Sequence, residues 1–216
     1  MRRDEVSTRP TAPAQFWDEY PGLVAGRDLL DGGTWLGITR MGRFAALTNV
    51  FDMRKGQPDR PTRGELTVDW LIGTESAKDY LAKTEAEAAR YDGFNLLFGN
   101  AYDLCRLSNS GGAGAAVLSS GLYGMSNGVP DEPKSRFVPG KALLSAPTVD
   151  VDRLFDILEA DVLGRVDEAQ RMRSSTVILV SCDGTAWFEE RTYGDRGRTF
   201  ACAFDVLPFG NESRPV

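Results

Sequence analysis

The sequence predicts an α+β fold with stacked sheets, and three observations carry that prediction. Phe44 to Leu47, Leu96 to Phe98 and Val177 to Val180 are each apolar on successive residues, so these strands are expected to be buried on both faces. Strand-like stretches recur along the whole chain, whereas only two stretches read clearly as helices. Two sheets packed on one another with helices outside give double cover with few helices. A layered sandwich in one domain over residues 1–216 is the expected architecture.

Met1 to Asp31 is rich in proline and charge, and Pro10, Pro13 and Pro21 break any long helix there. Phe16, Trp17 and Tyr20 are expected to pack onto the domain. Gly32 to Val50 then reads as a hairpin. Thr34 to Thr39 and Phe44 to Val50 are the strands, and Gly42 in the intervening Arg40 to Arg43 turn can take positive φ. The second strand ends in Thr48 and Asn49, a polar pair where a sheet can hold a site rigidly. Asn49 reads equally well as the start of the next turn.

Phe51 to Arg63, with Pro58 and Pro61, reads as a loop, and Leu66 to Ile72 fits either strand or helix. Thr74 to Tyr91 is a helix by composition and by the spacing of Ala77, Tyr80, Leu81, Thr84, Ala88 and Tyr91, with Gly93 as its terminal glycine. Phe94 to Asn100, Tyr102 to Ser108 and Ala115 to Ser119 are strand candidates. The Ser110 to Gly114 turn lacks the lysine and spacing of a phosphate loop. Asn127 precedes Gly128, which makes it a turn residue as readily as a site residue. Asp131 to Pro139 reads as a polar loop. Asp150 caps a helix whose stripe is Leu154, Ile157, Leu158 and Val162. Ser175 to Ser181, Ala186 to Tyr193 and Thr199 to Val206 close the chain as strands, the first two joined through Asp183-Gly184, and Gly210 to Val216 is expected to be loose.

Composition restricts the chemistry. The chain is 42% hydrophobic and 26% charged, an ordinary globular balance. A net charge of −6 argues against a nucleic-acid partner, which needs lysine and arginine against phosphates. No apolar run is long enough for a membrane span, and nothing resembles a signal peptide. Cys105, Cys182 and Cys202 are few and scattered, which fits a reducing cytoplasm. The chain has no histidine. That removes a Ser-His-Asp triad and any histidine-held zinc or haem iron, so no metal site is expected.

Nine motifs occur in a telling order. They are Arg3-Asp4-Glu5, Arg9-Pro10-Thr11, Gly26-Arg27-Asp28, Gly32-Gly33-Thr34-Trp35-Leu36-Gly37, Ala46-Leu47-Thr48-Asn49, Arg63-Gly64-Glu65, Gly93-Phe94-Asn95-Leu96, Gly121-Leu122-Tyr123-Gly124 with Ser126-Asn127, and Ser174-Ser175-Thr176. In this order the chain resembles the NRDE family, which includes the transport and Golgi organisation proteins. The resemblance implies the four-layer αββα sandwich of N-terminal nucleophile hydrolases. Family members usually begin Met-Cys, with an apolar strand ahead of the name motif. In that superfamily the cysteine attacks an amide carbonyl and its own α-amine is the base. By analogy Arg3 and Asp4 sit beside the nucleophile, and Asn49 or Asn127 donates to the oxyanion. The other reading of Arg3 and Asp4 is an ion pair that anchors the start of the chain.

This chain has Arg2 where the family has asparagine, and it starts at the name motif. The expectation is therefore a sandwich lacking its first strand, with that strand and its cysteine encoded in frame upstream. Three functions follow from the resemblance. One is a cysteine amide hydrolase. Another is a carrier of a small apolar ligand, with haem as cargo rather than cofactor. The last is a remnant domain without activity.

Overall fold

A computed structural model describes residues 1–6, 8–50, 60–128, 130, 141, 144, 150–159, 170–194 and 197–206, and of 170 and 171 the backbone. The elements are β1 (Arg2–Val6), β2 (Thr11–Trp17), β3 (Tyr20–Asp28), β4 (Leu36–Thr39), β5 (Phe44–Asn49), α1 (Arg63–Ile72), α2 (Ala77–Glu87), a 3-10 turn (Ala88–Arg90), β6 (Phe94–Gly99), β7 (Leu104–Ser108), β8 (Gly114–Leu118), α3 (Val151–Glu159), β9 (Gln170–Val180), β10 (Thr185–Thr192) and β11 (Thr199–Asp205). Both sheets are antiparallel. One runs β2 through β8 in chain order, and the other runs β1-β9-β10-β11, joining the first strand to the last three. Among the described residues no helix is long and apolar enough to cross a membrane.

The largest departure from expectation is in the first 31 residues, which form three strands. Their prolines sit where a strand tolerates them. β2 is an edge strand, and its register slips between Ala12 and Gln15, around Pro13. Pro21 is the second residue of β3, beside a second slip between Phe16 and Trp17. Proline is confined to such edges and irregularities because it cannot donate to the ladder. Alternating charge and small apolar residues hid these strands.

The ambiguous Leu66 to Ile72 stretch is helical, started by Thr62, whose hydroxyl accepts from the Gly64 N–H. Ser76 likewise caps α2, accepting from the Asp79 N–H at 3.1 Å. Gly93 does not end that helix. It is glycine because a Cβ there would lie 2.8 Å from the Val50 carbonyl, whose chain runs alongside. The early hairpin turns as expected, with Gly42 at φ 74°, and the late one turns at Gly184, φ 90°. Double burial of Val177 to Val180 fails at one end, where Leu179 and Val180 are exposed. Most of the loop expected over Phe51 to Arg63, the loop at 131–139, the last positions of the third helix and the tail at 210–216 lie outside the described residues.

Two apolar clusters form. One gathers Trp70, Leu71, Tyr80 and Leu81 of the first two helices with Leu23, Ala45, Phe94, Leu96, Phe98 and Leu107 of the seven-stranded sheet. The other joins Ala14, Val24 and Ile38 of that sheet to Ala186, Phe188 and Phe204 of the four-stranded one. Strand alternation explains the split: Leu23 and Ala25 enter the first cluster, and Val24 between them enters the second. α3 rests on β9 and β10. Its Phe155 is fully buried, 3.8 Å beneath the Arg191 guanidinium, and Arg191 bonds Asp152 at 2.5 Å.

Candidate functional site

Two glycine contacts shape the main cavity. A Cβ on Gly33 would fall 2.6 Å from the Gly64 backbone, so the Gly32 to Leu36 segment and the start of α1 touch through bare main chain. The Thr67 hydroxyl closes that junction, lying 2.6 Å from the Gly64 carbonyl and 2.5 Å from the Thr34 carbonyl. Gly26 lies flat against the Trp35 ring, 2.5 Å from where its Cβ would be. The Arg3 guanidinium lies over the Trp35 ring, 3.9 Å from its centroid.

These contacts border a cavity of about 780 Å³ lined by both sheets. β1 contributes Arg2 to Glu5, β5 contributes Ala46 to Asn49, and β6 contributes Leu97. The Tyr123 to Asn127 segment, Ile157 and Leu158 of α3, and Arg63 complete much of the wall. The lining is divided in character. Arg2, Arg3, Arg9, Arg63, Asp4, Glu5, Asp28 and Asp31 bring charge, while Leu97, Met125, Leu144, Ile157 and Leu158 are apolar.

All four residues singled out in the sequence, Arg3, Asp4, Asn49 and Asn127, line this one cavity. Arg3 is 8% exposed. Burial lowers its pKa, and Glu5, 3.7 Å away, opposes the fall. Asp4 is more open and bonds Arg2 at 2.9 Å. So the ion-pair alternative takes a different form from the one expected: neighbouring side chains, Arg2 and Glu5, supply the partners. Asn49 and Asn127 are exposed, and neither side-chain amide bonds another described residue.

Apart from Thr48, the residues that hold the cavity and its surroundings in place were not singled out. Asn95, fully buried on β6, donates to the Ser126 and Gly128 carbonyls, each at 2.8 Å, and so pins the chain on both sides of Asn127. Thr48 donates to the same Ser126 carbonyl at 2.8 Å. Arg9 grips Asp28 at 2.5 Å and Asp31 at 2.5 Å, while Asp28 accepts from the Leu30 N–H and so ties its own turn. Arg63 donates to the Gly93 carbonyl at 3.0 Å, and Glu65 accepts from the Tyr91 hydroxyl at 2.8 Å. Glu190 on β10 is 2% exposed and accepts from the Ala14 N–H of β2 at 2.7 Å. Burial raises its pKa, against hydrogen bonds from Ala14 and Thr176 and the charge of Arg3. Most of these residues stand inside the ordered motifs; what the sequence lacked was any sign of which motif meets which.

None of the three cysteines lines the cavity. Cys105 is fully buried and Cys202 half-buried, and burial pushes both thiols up. Cys182 is exposed in the β9–β10 turn. A thiol reagent is expected to label Cys182 in the folded protein at least on the order of a hundredfold faster than Cys105, which reacts only through opening. Mass spectrometry of a labelling time course checks this, and comparable rates would contradict it. Among the described residues no group of three or more His, Cys, Asp or Glu is placed to hold a metal.

Comparison with known proteins agrees with the motif order. The family profile described as Transport and Golgi organisation 2 matches residues 1–172. The chain is 34% identical over 235 positions to a Bos taurus protein named Transport and Golgi organization protein 2 homolog, covering 88% of this chain and 84% of that one. The Mus musculus Transport and Golgi organization 2 homolog is 31% identical over 239 positions, covering 90% and 85%. The Homo sapiens homolog is 30% identical over 236 positions, with the same coverage.

Proposed function

The chain belongs to the Transport and Golgi organisation 2 family, and from that premise we propose that it handles a small, largely apolar molecule, with haem as one cargo, in the cavity between β1 and β5. One observation carries this reading: a cavity of about 780 Å³ whose lining holds both charged and apolar side chains. Ligand sites of that size bury an apolar body and orient it by a few polar groups. Haem offers a broad apolar face and two carboxylates, which Arg2, Arg3, Arg9 and Arg63 are positioned to meet. With no histidine in the chain and no cysteine in the lining, an iron ligand falls to Met1, Met125 or Tyr123.

A haem titration tests this. A saturable Soret shift of thioether, phenolate or unligated type is expected. Leu97→Trp, which puts a bulkier ring into the cavity lining, should weaken binding about tenfold or more, or at least 1.4 kcal/mol. An unmoved Soret band with haem in excess removes haem as cargo, and binding indifferent to Leu97→Trp removes the cavity as its place.

A second reading, a cysteine amide hydrolase, is favoured by the convergence of Arg3, Asp4, Asn49 and Asn127 on that cavity. The amides of Asn49 and Asn127, which bond no other described residue, suit oxyanion stabilisation. This reading takes its nucleophile from the cysteine expected ahead of β1, whose outer edge pairs with no described strand. We read the architecture as αββα in a single domain, supported by the cluster shared between the sheets and by α3 resting on the four-stranded one. Cytoplasmic residence belongs to the same reading, on the scattered cysteines.

A further inference from the structure

Four strands stand at sheet edges, β1, β2, β8 and β11. Exposed edges invite pairing with another chain, and proteins blunt them with charge, proline, bulges or brevity. β1 carries Arg2, Arg3, Asp4 and Glu5 in five residues and a bulge. β2 carries Pro13 and two slips. β8 is five residues long. β11 has none of these devices. It is seven residues long, pairs with β10 without irregularity, and its single charge is Asp205 at the end.

The outward backbone groups of β11 can be assigned. The Arg198 carbonyl accepts from the Thr192 N–H, and the Val206 N–H donates to the Gly184 carbonyl, both at 2.8 Å. Even-numbered residues therefore face β10. By alternation Thr199, Ala201, Ala203 and Asp205 turn their N–H and C=O groups to the outer edge. Among the described residues no strand pairs there.

An uncovered apolar row leads to this edge. Leu179 lies opposite Trp187, and Trp187 lies opposite Ala203, so the three cross the sheet on one face. Leu179 and Trp187 are each 37% exposed, and Ala203 is exposed. α3 covers that face farther along, where Val177 and Glu189 are buried, and leaves this row open.

We propose that β11 pairs with β11 of a second copy, joining two four-stranded sheets into one of eight across a two-fold axis at Cys202. Self-complementarity selects a second copy as the occupant. Antiparallel pairing about Cys202 sets Thr199 against Asp205 of the partner subunit and Ala201 against Ala203 of the partner subunit, so all four outward-facing residues pair and no like charges meet. The two alanines at the axis leave room for Trp187 and the partner's Trp187 to lie over the seam. Such an isologous interface closes on itself as a dimer. It is independent of what the cavity holds.

Sedimentation velocity on the full chain tests the pairing. The parent protein is expected at twice the chain mass. Ala203→Lys and, separately, Ala201→Lys put a charge on the seam at exposed positions, and each should halve the mass while circular dichroism stays unchanged. Should one variant fail to fold, the other decides. A parent protein that stays monomeric at every concentration, or a dimer that survives the folded lysine variants, overturns the proposal.

Discussion

Replacing Arg43 by alanine is expected to cost about 3–5 kcal/mol of stability, the range for stranding partners of a buried, hydrogen-bonded charge. Arg43 ends the turn between β4 and β5, yet it is only 3% exposed. Its Nε donates to the Trp70 carbonyl at 2.7 Å and its Nη1 to the Glu75 carbonyl at 2.8 Å. The Trp70 carbonyl lies in the last turn of α1, where the helix dipole favours a cation, and the Glu75 carbonyl lies in the link between α1 and α2. The guanidinium also stacks 3.4 Å from the centroid of the Trp70 ring. Trp70 in turn donates to the Phe44 carbonyl at 2.9 Å and packs on Tyr80 and Phe98, so the hairpin and α1 hold each other at both ends.

Burial lowers the Arg43 pKa to about 10, and Glu75 opposes that fall. The group stays charged at neutral pH, and its contribution is flat there. The melting temperature of Arg43→Ala should drop by roughly 10 °C for a chain of this size. Arg43→Lys keeps the charge and loses the fork, and should fall between the two. Urea melts give the comparison. An alanine variant within about 1 kcal/mol of the parent would show that the carbonyls find other donors.

Glu190→Ala is the second large effect, again about 3–5 kcal/mol. It deprives the buried Ala14 N–H and Thr176 hydroxyl of their acceptor and Arg3 of an opposing charge. Glu190→Gln keeps the shape and an acceptor for Ala14, and should cost much less. The two also differ in pH dependence. Burial raises the folded pKa of Glu190 above its ordinary 4.5. Below 4.5 both folded and unfolded states hold the proton. As pH rises from there towards the folded pKa, only the unfolded state releases it, so the parent loses stability over that window and is flat above it. Subtracting the Glu190→Gln stability curve from the parent's isolates this slope. A difference that rises with pH would mean that Arg3 and the hydrogen bonds outweigh burial.

The late hairpin, the α2 helix and the hairpin around Gly42 were readable because their signals are local: a turn glycine, a cap, a spacing of apolar residues. The motif order was readable too, and it named the family before any coordinate did. The three N-terminal strands were not, since an edge position lets β2 carry Pro13 and a register slip at its start lets β3 carry Pro21, where a regular central strand would reject proline. Arg43 read as a turn residue, because nothing near it in sequence announces two acceptors some thirty residues away. Asn95 read as part of a strand. Its role as the pin on either side of Asn127 depends on a segment more than thirty residues on.

The sequence by itself determined that no histidine of this chain can serve as a base or a metal ligand, and which family the chain joins, through motifs whose order survives without contacts. The tertiary structure alone decided that Arg3, Asp4, Asn49 and Asn127 share one cavity, and why the glycines of the motifs are glycines. Gly33 against Gly64 and Gly26 against Trp35 are contacts between segments distant in the chain or turned back on themselves. Composition and periodicity report the neighbours a residue has along the backbone. Close approach between segments is set by how whole sheets and helices pack, and that information is spread over the entire chain.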